Sequence, residues 1–150
     1  MSPMLNEIYS RRILELAAAI PHLGRLADPD ASATAHSRLC GSTVTVDLKV
    51  DDGVVTGFAQ DVKACALGQA SSSIMGRHVI GSTAGELREV REATRRMLKA
   101  DGAPPGGKWA ALAVLEPVRE FKARHASILL TFDAVVEALD RVAAGNAEAG

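Results

Sequence analysis

Residues 43–62 read TVTVDLKVDDGVVTGFAQDV, and this stretch indicates the fold class of the 150-residue chain. Apolar and polar side chains alternate over residues 43–50, which is the two-residue period of a half-buried β-strand. Asp51-Asp52-Gly53 is typical of a tight turn, and residues 54–62 return as a second strand. The segment therefore predicts an antiparallel β-hairpin.

The segments on both sides of the hairpin have the three-to-four-residue apolar spacing of amphipathic helices. We predict helices over residues 3–20 and 66–76, from the Thr83-x-x-Glu86 capping box to about residue 100, and from 118 to about 142. Residues 22–39 show no period and are predicted to form a long loop, while a short third strand is expected at 63–66. The fold class is therefore α+β, with a small antiparallel sheet of about three strands packed against several helices.

Composition limits the classes of function. Lys and Arg number 17 against 18 Asp and Glu, so the formal charge is −1, and we expect no nucleic-acid partner. No apolar run approaches the roughly 20 residues that cross a bilayer, the N-terminus does not resemble a secretory signal, and no membrane partner is expected. Two cysteines are too few for a disulfide framework, which favours a cytoplasmic protein with reduced thiols. The length suits one domain, 1–150, with its core at about 8–142 and a frayed tail.

Three side chains are candidate metal ligands. Cys40 lies where the loop enters the first strand, and Cys65 lies where the sheet ends and a helix begins. Free N–H groups at the start of a helix favour a thiolate, the form of cysteine that binds metals. His125 lies on the apolar stripe of the last predicted helix. Buried packing remains the simpler alternative for the two cysteines, because they match no compact zinc motif. It is also the simpler alternative for His125, because a lone histidine on an apolar stripe is more often a core residue than a ligand.

Three cations, Arg119, Lys122 and Arg124, are predicted to lie in the first two turns of the last helix. Cations there oppose the helix dipole by about 0.3–1 kcal/mol each. Either this face is simply solvated, or it is a docking or anion-holding surface beside His125.

Residues 65–75, CALGQASSSIM, resemble the iron–sulfur cluster assembly scaffold family, the IscU and SufU type that also forms the N-terminal domain of NifU. The likeness extends over about residues 8–139 and includes Cys40-Gly41 before the hairpin and Gly57-Phe58 within it. Residues 125–129, HASIL, are similar to the family's His-Cys-Ser-Ile-Leu, with Ala126 in place of the third cysteine. Ser42 stands where the family has an aspartate.

The resemblance implies a scaffold that assembles a nascent cluster and passes it to apo-proteins, and not an enzyme. It implies that Cys40, Cys65 and His125 bind iron or a [2Fe–2S] cluster. Residues 115–119, LEPVR, are similar to the family's chaperone-recognition segment. The resemblance thereby assigns partner binding to Leu115, Pro117, Val118 and Arg119. The implied partners are a cysteine desulfurase, an Hsp70-type chaperone system and apo iron–sulfur proteins.

The number of ligands leaves several alternatives open, because a [2Fe–2S] cluster needs four protein ligands and one chain offers three. Oxygen from Ser42 or Asp61, a small external thiol, or a homodimer sharing Cys40 and Cys65 of each chain would complete the set. Zinc fits the same residues with water as its fourth ligand. The rival functions are a degenerate paralogue that only binds desulfurase or chaperone, and a thiol enzyme with Cys65 as nucleophile and His125 as base.

Overall fold

The computed structural model describes residues 10–38 and 41–149 and has the expected α+β fold. The strands form one antiparallel sheet in the order β1-β2-β3: β1 (Ala31–His36), β2 (Thr43–Asp51) and β3 (Val54–Lys63). The α-helices are α1 (Arg11–Ala18), α2 (Ala66–His78), α3 (Ala84–Lys99) and α4 (His125–Ala149). Two 3₁₀ segments, Gly107–Glu120 and Lys122–Arg124, connect α3 to α4. In these ranges no helix combines the length and apolarity needed to cross a membrane.

The predicted hairpin is confirmed as β2 and β3. Val44, Val46 and Leu48 are fully buried on the face of the sheet that meets the helices. Asp52 and Gly53 both have positive φ angles, 54° and 78°, which is the requirement of a two-residue type I′ turn. The turn sets the pairing of Asp51 with Val54 and of Val50 with Val55, and a register shift between Lys49 and Val50 separates it from the pairing of the rest of the hairpin.

The third strand is β1, and the predicted strand at 63–66 is wrong. Lys63 ends β3 and Ala66 already begins α2. The predicted loop over residues 22–39 is also wrong in part, because β1 pairs antiparallel with β2 along its whole length. Its sequence, ASATAH, has little intrinsic preference for a strand. It becomes one because it satisfies the free edge of β2 while α4 packs against it.

Asp47 in the middle strand holds the segment before β1 against the sheet. Its fully buried carboxylate accepts hydrogen bonds from Nε and Nη2 of Arg25 at 2.7 and 2.9 Å, and from the backbone N–H of Leu26 at 2.9 Å. The hydroxyl of Ser32 in β1 donates to the same carboxylate at 2.5 Å. The Arg25 guanidinium lowers the pKa of Asp47 to about 2, overcoming the opposite effect of burial. This ion pair ties residues 25–32 to β2.

The helices agree with the predictions in type but differ in their bounds. In α3 the hydroxyl of Thr83 accepts a hydrogen bond from the N–H of Glu86 at 3.2 Å, as the capping box predicts. Residues 3–9 of the first predicted helix lie outside the described residues. The last helix begins at His125 and not at 118. Pro117 lacks the N–H that an α-helix needs, and Val118 closes a tighter turn with Phe121 at 2.8 Å.

Candidate metal centre

Cys65 carries a free thiol at the N-cap of α2. The side chain makes no capping hydrogen bond, so its sulfur is not committed to the helix that follows. Sγ lies 3.2 Å from Oγ of Ser127, two residues into α4, and the side chain is half-buried. The fold thus brings the thiol that follows β3 to the start of the last helix, 62 positions further along the chain.

His125 is the first residue of α4, and only 2% of it is exposed. Its Nε2 lies 3.1 Å from the carbonyl oxygens of both Val118 and Arg119. Because carbonyl oxygens only accept hydrogen bonds, Nε2 must carry the ring proton, and Nδ1 keeps a lone pair. Burial, followed by the charges of Lys99 and Lys122, lowers the pKa of His125 against the raising effect of the two carbonyls. A neutral imidazole whose N–H donates to a backbone carbonyl is the usual state of a metal-binding histidine.

Cys65 and His125 approach the start of α4 from different sides. Ser127 faces Cys65, and two helical residues correspond to a rotation of about 200°, so His125 projects from another side of the helix. Ala126 lies between these two directions and is half-buried. Over residues 10–38 and 41–149, no three His, Cys, Asp or Glu side chains form a group that could hold a metal ion. A site shared by Cys65 and His125 therefore stays a prediction.

The other predicted ligands occupy different places. Cys40 lies outside the described residues. Ser42 is buried just before β2, and its carbonyl oxygen accepts a hydrogen bond from the N–H of Ser37 at 2.9 Å. Asp61 is exposed in β3 opposite Thr45, on the face of the sheet that points away from Val44 and Val46. The structure therefore does not bring Asp61 to the side on which α2 and α4 pack.

The segment predicted to bind partners lies in the first 3₁₀ segment. Leu115 and Val118 are fully buried in the core, whereas Pro117 is half-buried. Arg119 pairs with Asp101 at 3.3 Å and with Glu116 at 3.4 Å. Arg119, Lys122 and Arg124 precede α4, so the prediction that they lie within its first two turns is wrong. Partner binding by these residues stays a prediction.

Sequence reasoning missed two features of this region. The first is the contact of Ser127 with Cys65, although Ser127 stood within the recognised HASIL run. The second is Lys99 at the end of α3, which faces the same cavity as His125. The apolar period of α3 gave no sign of it, because the cavity is formed by segments that are distant in sequence.

Gly68 lets α2 and α4 approach closely beside Cys65, which gives a prediction on stability. A Cβ at Gly68 would lie 2.7 Å from Oγ of Ser127 and 2.8 Å from Cβ of Ala64. We expect Gly68→Ala to lower the free energy of unfolding by about 1–3 kcal/mol, because the two helices must separate. The matched control is Gly85→Ala in α3, where a Cβ meets nothing within 4 Å. That variant should gain about 0.5–1 kcal/mol from helix propensity. Urea unfolding of both variants measures the difference, and equal gains would contradict close packing at Gly68.

Comparison with known proteins identifies the family of the chain. Residues 8–126 match the NifU-like N-terminal domain family. The chain belongs to this family. A curated relative, the iron–sulfur cluster assembly scaffold protein IscU of Thermotoga maritima, is 27% identical over 135 residues, which cover 90% of this chain and 94% of the relative. The protein of the same name from Streptococcus pyogenes is 24% identical over 139 residues, covering 93% of this chain and 87% of that relative.

Solved structures agree with the NifU-like assignment. The crystal structure of a nitrogen-fixing NifU-like protein (N-terminal) from Brucella abortus has 60% sequence identity and a TM-score of 0.91, covering 93% of this chain and 96% of that one. A SUF-system scaffold from Fervidobacterium islandicum has a TM-score of 0.82 at 21% identity, covering 89% and 98% of the two chains, and supports the fold alone. The family resemblance inferred from residues 65–75 is confirmed.

Proposed function

We propose that this NifU-like domain is an iron–sulfur cluster assembly scaffold. It would bind iron or a nascent [2Fe–2S] cluster as its cargo and pass it to apo-proteins. The observation that carries the proposal is the position of Cys65, whose half-buried free thiol is held between the start of α2 and the start of α4. The curated relatives that bear the scaffold name support the same function.

Cys40, Cys65 and His125 are the proposed ligands. Thr43 pairs with Lys63, so residues 41–42 and 64–65 continue from the same end of the sheet, and Cys40 is the next residue in sequence. The ring of His125 is held by two carbonyl oxygens and keeps Nδ1 for a metal. A soft thiolate pair with one imidazole suits iron and sulfide, and it also suits zinc.

The partners follow from the cargo. Sulfur must be supplied from outside, which is the role of a cysteine desulfurase, and apo iron–sulfur proteins are the recipients. An Hsp70-type chaperone that binds residues 115–119 would contact Pro117 and Arg119, because Leu115 and Val118 are buried. A homodimer in which each chain gives Cys40 and Cys65 would supply four thiolates.

Anaerobic reconstitution tests the proposal. The metal-free protein is incubated with ferrous iron and sulfide, desalted, and analysed for iron, acid-labile sulfide and visible absorption. We expect iron and sulfide in equal amounts, and then transfer of the cluster to an apo-ferredoxin. Protein that retains neither iron nor sulfide would contradict a scaffold function. Repeating the experiment with zinc present shows whether zinc competes for the same ligands.

Ala126 favours a second candidate, a paralogue that binds a desulfurase or chaperone but assembles nothing. The variant Ala126→Cys separates the two, since position 126 lies between the directions of His125 and Ser127 and adds a thiolate at the start of α4. If the protein is a scaffold, we expect iron binding about tenfold tighter and a cluster whose absorption decays more slowly in air. A conservative Ala126→Ser variant controls for the added polar group. If neither the parent nor Ala126→Cys takes up iron and sulfide while both bind a desulfurase, the binding-only function is correct.

A further inference from the structure

A cavity of about 340 Å³ lies beside His125, between the end of α3 and the 3₁₀ segments that precede α4. Its volume falls in the range of small-molecule sites. The charged and polar residues that line it are Lys99, Asp101, Arg119, Glu120, Lys122 and His125. Among the residues that the structure describes, His125 is the one that belongs both to the lining of this cavity and to the proposed ligand set.

The cations of the cavity are only partly neutralised. Lys99 and Lys122 form no ion pair within the part of the chain that the structure describes. Arg119 pairs with Asp101 and Glu116, yet its Nε is buried without a hydrogen-bond acceptor among the described residues. These groups attract carboxylates, since a buried donor without an acceptor is costly.

The cavity also carries a negative group that has no ion pair in the described ranges. Glu120 lines it together with the two lysines. A ligand that complements this arrangement carries carboxylates for Lys99 and Lys122 and an ammonium group for Glu120, with a net negative charge. Small peptides that have a free α-amino group and two carboxylates have this pattern of charge.

We propose that the cavity binds a small peptide thiol of the glutathione class, whose sulfur supplies the metal ligand that Ala126 does not. The inference rests on the proposed scaffold function and completes its ligand count. On binding the metal, the thiol releases its proton to solvent and the thiolate donates an electron pair, so no oxidant or reductant is needed. The cluster would then be held by Cys40, Cys65, His125 and an external thiolate.

The first experiment uses metal-free protein and does not depend on cluster assembly. Glutathione and S-methylglutathione are titrated by calorimetry and by amide NMR shifts. We expect glutathione and S-methylglutathione both to bind, because the carboxylates and the ammonium group that they share make the contacts with the cavity. We expect Lys122→Glu to weaken the binding of both about tenfold. Arg12→Glu, the same charge change at an exposed position of α1, should leave binding unchanged. Absent binding, or equal affinities in the parent and Lys122→Glu, would overturn the proposal.

The second experiment tests the sulfur. The cluster is reconstituted with glutathione, with S-methylglutathione or without either, and the decay of its absorption is followed in air. We expect glutathione to lengthen the lifetime severalfold in the parent, S-methylglutathione to have no effect, and Lys122→Glu to lose the gain. Equal lifetimes in all three conditions would refute the ligand role. A protein that binds glutathione but never forms a cluster would refute the scaffold function and the role of the sulfur. Whether the cavity binds the peptide is decided separately, by the metal-free titration.

Discussion

Cys65→Ala is expected to reduce iron and cluster binding by about 100-fold or more, to background in a desalted sample. The Cys65 thiol lies between the start of α2 and the start of α4, where a ligand is predicted. Alanine offers no donor atom in its place. The fold should survive, because the side chain of Cys65 makes no capping hydrogen bond. The melting temperature should therefore change by only a few degrees. Iron and sulfide analysis after anaerobic reconstitution measures the loss.

Ser127→Ala is the matched control for Cys65→Ala. It removes the hydroxyl that lies 3.2 Å from Sγ but leaves the thiol itself. We expect iron binding to persist with an affinity reduced by about tenfold, as for other residues that orient a ligand. If Cys65→Ala binds iron as the parent does, the ligand assignment is wrong. If Ser127→Ala loses iron completely, Ser127 itself holds the metal.

Asp47→Asn is expected to lower the free energy of unfolding by about 2–3 kcal/mol. The amide keeps the volume of the carboxylate, but it cannot accept hydrogen bonds at both positions from Arg25, Leu26 and Ser32. Breaking a fully buried ion pair costs about 3–5 kcal/mol, and the cost is smaller here because 59% of the Arg25 side chain is exposed and water can solvate it. Urea unfolding at pH 7 measures the change.

The effect of Asp47→Asn should depend on pH. The folded-state pKa of Asp47 is lowered to about 2, whereas an unfolded aspartate titrates near 3.9. The carboxylate therefore stabilises the fold fully above about pH 4, and this contribution is lost as the pH falls towards 2. The difference between parent and variant should shrink over that window.

Asp52→Asn in the type I′ turn is the control for both Asp47 experiments. Asp52 has a φ of 54°, which asparagine adopts readily, so stability should stay within about 0.5 kcal/mol of the parent. A pH-independent loss in Asp47→Asn would show that shape and not charge is the important property of this carboxylate.

The parts of the fold that were predicted correctly depend on neighbours in sequence. The period of residues 43–50, the Asp-Asp-Gly turn and the Thr83 capping box need only local contacts, and all three are present. Strand β1 was missed because alanine has a weak preference for strands, although residues 31–36 alternate alanine with polar side chains. Asp47, Arg25 and α4 hold it in place from elsewhere in the chain. Local patterns contain no information about such partners.

The same division applies to the candidate site. The sequence by itself determined the family, the position of Cys65 before a helix and the replacement of the third cysteine by Ala126, because these are properties of the order of residues. Only the tertiary structure decided that α4 begins at His125, that Cys65 contacts Ser127, and that Lys99 and Lys122 share a cavity with His125. The physical reason is that these contacts join segments distant along the chain, and they form only when the apolar faces of the sheet and the helices pack into one core.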